Sequence, residues 1–438
     1  MKKYLLYITF LFCSLLIKVN VIAQDKSSYP VIDGTFIQDN LVANWNDARW
    51  QKELNALKEV GMHYIIFAPT LHTNKEGVSE SMYPSTLHDV RQKYKADLVD
   101  NCLRNAAKAG FKVFLGLNFN EEWWTGQFRY EWLKHQMETG NKVADELVKK
   151  YKNKYGEVMY GWYWVWEVDN IHCKTTFLQD ELADILNVNL DHLHAITPSM
   201  PFMLCPFMNY RLGTAGQNRD MWERVFAGTH FNKGDIFAPQ DCIGAGGLKL
   251  DTLSVWFREM KKAADTKPGL LFWSDAETFD QRFWTIAPLN RLVKQLEIEK
   301  PYVSNIISFA YSHYYSPYKV NKKYHEAYSE YVRTGVLPVS SLKGSVSGLK
   351  LHLSPEHKPV LTWKAPKDSG EVAGYYIFRN EELMTNIQPE NKGINTSQNT
   401  FADNSSLKNG KYKYAVCAYS FTGVATLKRM LILKLNNK

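Results

Sequence analysis

The segments EVGMHYIIFAP (residues 59–69) and KAGFKVFLGLN (residues 108–118) read as two copies of one unit: a helix end, a glycine, then a buried strand. Ahead of the first copy, Trp50, Leu54 and Leu57 recur at helical spacing, and Gly61 supplies the stop. Ahead of the second, Leu98, Cys102, Ala106 and Ala109 do the same before Gly110. The strands, His63 to Pro69 and Lys112 to Asn118, are continuously apolar, as in a parallel sheet covered on both faces.

The unit repeats in both directions. Ile32 to Ile37 is an earlier strand, and Tyr160 to Val168, Phe202 to Phe207, Asp235 to Pro239, Leu270 to Ser274 and Ile306 to Tyr311 are later ones. Helical spacing separates them at Val143, Leu147 and Tyr151, at Leu182, Leu186 and Leu190, and over Arg219 to Ala227, Leu253 to Ala264 and Leu289 to Leu296. Tyr324 to Val332 closes the series. Eight such units predict an α/β fold, a (β/α)8 TIM barrel over residues 24–335. A doubly wound sheet is the competing arrangement, but no glycine-rich phosphate loop follows the first strand.

Composition changes after Gly335. LPVSSLKGSVSG (residues 337–348) has no helical period and reads as a linker spanning 336–348. Beyond it, runs at Pro359 to Trp363, Gly374 to Arg379, Lys411 to Tyr419 and Ala425 to Leu435, separated by Gly, Asn and Asp turns, predict a small all-β sandwich over 349–438. LTWKAP, GYYIFRN and GKYKYAVCAYS resemble a fibronectin type III module. That resemblance implies Trp363 in the sandwich core and Tyr412 or Tyr414 near a corner before the sixth strand.

At the other end, Lys2 and Lys3 precede an apolar run from Tyr4 to Ile17, and Val21-Ile22-Ala23 offers a cleavage site before Gln24. Residues 1–23 read as an export signal, which places the mature chain in a secreted or periplasmic location. A lipid anchor at Cys13 is the rival, disfavoured by bulky Phe12. The remaining cysteines, Cys102, Cys173, Cys205, Cys242 and Cys417, form no C-x-x-C pair and read as buried single thiols.

The 438 residues are 45% hydrophobic and 22% charged, which excludes a disordered, collagenous or disulfide-dense chain. Without Lys2, Lys3 and Lys18, 50 basic residues face 45 acidic ones, a surplus too small to point to nucleic acid or a membrane surface. No apolar run after the signal is long enough to span a bilayer. Aromatics are the outlier at 14%, which favours a stacking or apolar ligand.

In a barrel of this kind function lies at the C-terminal ends of the strands. Those ends read NFNEEWW (118–124), WEVDN (166–170), PFMN (206–209), PQD (239–241), WSDAE (273–277) and YSHYY (311–315). Carboxylates, carboxamides and aromatics together suit a sugar, whose C–H faces stack on rings and whose hydroxyls pair with polar groups. Glu167 and Glu277 are the candidate catalytic pair, because glycosidic cleavage needs two carboxyl groups. Asn118, Trp123, Trp124, Trp166, Asp169, Asn209, Gln240, Asp241, Trp273, Asp275, Tyr311 and His313 are the candidate substrate-binding residues. Trp162 and Trp164 share a strand face with Trp166, opposite Glu167, and read as packing against helices. Asp169, His172 and Cys173 lie close in sequence, but no HExxH or paired-His spacing accompanies them, and neither a metal nor a cofactor is expected.

Carboxylates at the ends of strands four and seven resemble those of the clan A glycoside hydrolases. GTFIQ (34–38), the helix containing Trp50, Glu53, Leu54 and LKEVGM (57–62), and PQD (239–241) are similar to the domain-of-unknown-function 4434 family, over about Asp33 to Arg333. The resemblance implies a secreted barrel in which Glu167 is the acid and base and Glu277 the nucleophile of a retaining glycoside hydrolase. The clan's Asn before the strand-four Glu is replaced here by Trp166, leaving Asn118, Asn209 or Gln240 to meet the sugar 2-hydroxyl. A non-catalytic carbohydrate-binding barrel and a surface scaffold are the alternatives. The sandwich is expected to carry no catalytic residue and to contact a cell surface or polysaccharide, so a chain ended near Val339 is expected to stay active.

Overall fold

The computed structural model describes residues 28–125, 129–170, 173–388 and 399–435. The expected export signal with Cys13, and His172, lie outside them.

Eight parallel strands hydrogen-bond in chain order around a closed ring: β1 (Gly34–Ile37), β2 (Tyr64–Phe67), β3 (Lys112–Gly116), β4 (Met159–Trp164), β5 (Phe202–Leu204), β6 (Ile236–Phe237), β7 (Leu271–Glu277) and β8 (Asn305–Phe309). The ring closes where Gly34 of β1 registers with both Tyr64 of β2 and Ile307 of β8. Alternate residues of each strand point inward. Phe36, Ile66, Phe114, Tyr163, Met203, Ile236, Trp273 and Ile307 fill the barrel interior. The intervening residues, among them Ile65, Val113, Trp162, Trp164 and Phe237, pack outward against helices. Gly161 belongs to this pattern by having no side chain: a Cβ there would lie 2.4 Å from the Phe114 ring.

The helices are α1 (Asp47–Glu59), α2 (Leu98–Ala109), α3 (Tyr130–Leu147), α4 (Thr176–Ile196), α5 (Ala215–Gly228), α6 (Leu250–Asp265), α7 (Leu289–Glu299) and α8 (Lys322–Thr334), one after each strand. Gly110 caps α2 with a left-handed φ of 79°, and Gly61 just beyond α1 has the same φ. No helix among the described residues is long and apolar enough to cross a membrane. Cys102, Cys173, Cys205, Cys242 and Cys417 are all buried and unpaired.

The C-terminal part is all-β. β9 (Ser347–Leu353), β10 (Pro359–Lys364) and β13 (Thr400–Ala402) form one sheet. β11 (Val372–Arg379), β12 (Glu382–Ile387), β14 (Gly410–Ser420) and β15 (Arg429–Leu435) form the other, in the order β12-β11-β14-β15. Trp363 is buried between them against Tyr375, 5.3 Å away. The Tyr412 hydroxyl donates to the Lys408 carbonyl at 2.9 Å, and Tyr414 donates to Asp403. Sequence reading missed β9, which begins inside the expected linker, and also β12 and β13. The final strand starts at Arg429, not Ala425.

The sandwich does not hang free of the barrel. Ala373, Tyr419 and Phe421 belong to the same buried cluster as the barrel's helix-facing core, and Phe421 meets Tyr324 of α8 edge-on at 4.9 Å. The Asn290 N–H of α7 donates to the Thr422 carbonyl at 3.1 Å.

Candidate active site

A cavity of about 840 Å³ opens at the C-terminal mouth of the barrel, a size within the roughly 300–1,000 Å³ usual for small-molecule sites. Strand parity places its floor. On β4, Tyr163 points inward, and Val165 and Glu167 beyond the strand continue on that side. On β7, Trp273 lies deep in the barrel, 5.4 Å from the Tyr64 ring, while Asp275 and Glu277 reach the cavity above it. Gln240, Asp169 and Trp124 complete the expected residues that line it.

The floor is a cluster of buried acids with few cations. Burial pushes the Glu167 carboxyl up, and the charge of Asp169 adds to this; the Gln240 Nε2, which donates to Glu167 Oε1 at 3.3 Å, works in the opposite direction. Glu277 is pushed well up by burial and by the charges of Asp241 and Asp275. Opposing this, the Ala245 N–H donates to Glu277 Oε2 at 2.7 Å. Gly244 makes that approach possible, since a Cβ on it would sit 2.3 Å from the Phe279 carbonyl oxygen. Asp275 is likewise pushed well up by burial, with Asp241 and Glu167 adding, and its Oδ1 has no hydrogen-bond partner among the described residues.

Behind the cavity, Asp241 accepts from the Ile243 N–H at 3.0 Å and from Gln295 Nε2. It pairs with Glu299, which the Ser274 hydroxyl also reaches at 2.7 Å. Burial and the Asp241 charge push the Glu299 carboxyl well above the usual carboxylate range, and burial pushes Asp241 up as well. Arg291 is the neighbouring cation, and its Nη2 is committed to the backbone carbonyls of Glu277 and Phe279.

Eight expected binding residues lie outside the cavity lining, each for a visible reason. Trp166 is buried between Phe119, Trp123 and Trp132, with centroids 5.2, 5.9 and 5.6 Å away, because its strand parity turns it to the helices. Trp123 is buried in the same cluster. Asn118 donates to the Gln136 carbonyl at 3.0 Å and ties α3 to the barrel. Asn209 accepts from the Arg211 N–H within its own turn. Asp241 and Trp273 lie beneath the surface, and Tyr311 is buried with its hydroxyl 2.7 Å from His325 Nδ1. His313 stacks on Phe309, centroids 6.4 Å apart, and burial lowers its pKa to about 4. Of the three carboxamides offered in place of the missing Asn, Gln240 alone meets Glu167.

Other lining residues were not among the candidates, although Glu121 and Phe207 belong to the strand-end segments NFNEEWW and PFMN. Gln38, Asp39 and Asn40 follow β1, and His72, Lys93 and Glu121 stand at the rim with Phe207, Phe279, Gln281, Trp284 and Phe309. Gln38 was legible as the residue ending the first strand; Trp284 carried no signal, lying in a loop with no periodicity. Among the described residues no cluster of three His, Cys, Asp or Glu is placed to hold a metal.

A closed (β/α)8 barrel with an acidic, aromatic-rimmed mouth defines the class. Residues 32–321 match the model described as Domain of unknown function (DUF4434), and the chain belongs to that family. No curated protein matches it. Among solved structures, a candidate α-L-fucosidase from Bacteroides thetaiotaomicron VPI-5482 is similar in fold, with a TM-score of 0.58 and 24% identity over 74% of this chain and 99% of that one. The GH39 enzyme from Xanthomonas axonopodis pv. citri superposes more loosely, with a TM-score of 0.43 and 11% identity over 80% of each chain.

Proposed function

We propose that this protein is a secreted glycoside hydrolase of retaining type, with Glu277 as nucleophile and Glu167 as acid and base. The observation that carries the reading is that these two carboxyl groups, from β7 and the end of β4, open into one aromatic-lined cavity. In the first step the Glu277 carboxylate attacks the anomeric carbon, the glycosidic C–O bond breaks, and the Glu167 proton passes to the leaving oxygen. In the second, water attacks the same carbon, gives its proton to Glu167, and frees Glu277. Burial raises the Glu167 carboxyl above its ordinary value, the direction a proton donor needs. The Ala245 N–H is the donor that favours the charged form of Glu277.

The test is a panel of polysaccharides and aryl glycosides. Glu277→Gln abolishes turnover while leaving the fold intact. Glu167→Ala spares substrates whose leaving group needs no proton, and azide partly restores its rate. Wild-type rates in both variants would sink the assignment, and a glycan bound tightly but never cleaved would make the barrel a binding protein.

Two parts of the reading lie beyond the barrel. We propose that the sandwich is a fibronectin type III-like module, supported by its sheets of three and four strands and by buried Trp363. We also propose export, supported by Lys2, Lys3 and the apolar run from Tyr4 to Ile17. Mass spectrometry of the mature protein is expected to find Gln24 at the N-terminus; a lipidated Cys13 start would replace free secretion with anchoring.

A further inference from the structure

We propose that Trp284 is a sugar-ring platform in the cavity and that the C-terminal sandwich positions it. The inference rests on the carbohydrate reading above. Trp284 sits on a hairpin of two short strands, Phe279–Asp280 and Thr285–Ile286, paired at Phe279↔Ile286 and Asp280↔Thr285 and closed at its base by the Ala287 N–H, which donates to the Thr278 carbonyl at 2.9 Å. A ribbon so short does not hold its own shape in water.

Yet Trp284 is held in an unfavourable state twice over. Its φ is +50°, in the left-handed region that a bulky side chain avoids, and 61% of its surface is exposed. The ring lies parallel to Phe279, centroids 6.0 Å apart at 12°, and Phe279 in turn stacks on Tyr314 at 5.6 Å. One face of the indole is thereby backed by a column of rings. An exposed tryptophan at a cavity that also holds Glu277 matches the C–H face of a pyranose.

The barrel ties the hairpin at its ends, with the Gln281 N–H donating to the Gly244 carbonyl at 2.9 Å and the Tyr315 hydroxyl to the Ala287 carbonyl at 2.6 Å, and the sandwich ties its second strand. Gln388, just past β12, accepts from the Ile286 N–H at 2.8 Å and donates to the Ile286 carbonyl at 3.0 Å, pairing with the hairpin as another strand would. Asn386 donates to the Thr285 hydroxyl at 3.1 Å. The Tyr419 hydroxyl accepts from Gln388 Nε2 at 2.7 Å and donates to Asn386 Oδ1 at 2.8 Å, locking both amides. All of these groups are buried. Gln388 is thus a positioning residue for a ligand it does not touch.

The experiment uses the full chain carrying Glu277→Gln, so that bound glycan is not consumed. Affinity gels contain soluble xylan, galactomannan, arabinan, pectic galactan or mucin glycan. Trp284→Ala is expected to weaken binding about tenfold, the factor that about 1.4 kcal/mol of stacking represents. Trp284→Phe retains most of it. Gln388→Ala weakens binding several-fold and speeds hydrogen exchange at the Ile286 amide, and in the Trp284→Ala background it has no further effect on affinity. Asn386→Ala, which removes a single tie, shows the same pattern more weakly and serves where Gln388→Ala does not fold. Glycan binding unchanged by Trp284→Ala overturns the platform and leaves the carbohydrate reading standing. Additive effects of Gln388→Ala and Trp284→Ala overturn the positioning role. No binding or cleavage of any glycan overturns the carbohydrate reading and this inference with it.

Discussion

At the scale of single residues, the site is governed by how few charges its floor can hold. Glu167 is tuned from two sides, raised by burial and by the Asp169 charge and lowered by the Gln240 hydrogen bond. If Glu167 is the acid, its ionisation sets the alkaline limb of the pH–rate profile. Asp169→Asn removes a repelling charge and moves that limb to lower pH. Gln240→Leu removes a donor to the carboxylate and moves it to higher pH. Shifts in the same direction, or none, would count against Glu167 as the acid. Asp275 contributes differently. Its folded-state pKa is raised, so its contribution to stability is greatest in acid and is lost as pH rises above the ordinary aspartate range. Asp275→Asn, which needs no proton, is expected to raise the thermal midpoint at pH 7 relative to wild type, with a smaller gain at pH 4. The cost falls on the site, as is common where function needs strained electrostatics.

At the scale of elements, the strands and helices were legible because each buried strand is a short apolar run and each helix carries a 3.6-residue stripe. The two copies at residues 59–69 and 108–118 sit where the reading put them, as the end of α1 with β2 and the end of α2 with β3. Three-residue polar strands such as Leu71–Thr73 and Ser79–Ser81 left no periodicity to detect. Parity decided which tryptophans were misread. Glu167 and Trp166 are neighbours in sequence, yet one faces the cavity and the other the helices, so adjacency to a candidate acid was a poor guide. Trp123 and Trp124 divide likewise, the first buried and the second 57% exposed on Phe119. Trp166→Ala is therefore expected to destabilise by roughly 3–5 kcal/mol in denaturant unfolding. A change confined to KM would mean instead that Trp166 meets substrate. Glu167 and Glu277 were readable as strand-end acids that line one cavity, whereas the hairpin bearing Trp284 was not, because part of what holds it lies about a hundred residues further along the chain, at Asn386 and Gln388.

At the scale of the whole molecule, barrel and sandwich share buried surface. Phe421 against Tyr324, Thr422 against Asn290 and Gln388 against Ile286 join the two in one hydrophobic and hydrogen-bonded contact. Cooperative unfolding follows from such sharing, and calorimetry is expected to show one transition. Two resolved transitions would show that the contact is weak. A chain ended near Val339 would bare this surface and lose the ties of Asn386 and Gln388 to the hairpin, so its activity measures how much the sandwich matters to the site. The closure of the ring has a different consequence. Asn305 donates to Asp33 across 272 residues, and β1 completes its pairing only with β8. A nascent chain must therefore keep one flank of its first strand unpaired through most of its synthesis. Non-local closure of this kind slows folding and lengthens the time in which that flank can capture another chain. The last strand of the barrel thus acts as the safeguard of the first, and yield on overexpression should depend on how quickly it arrives.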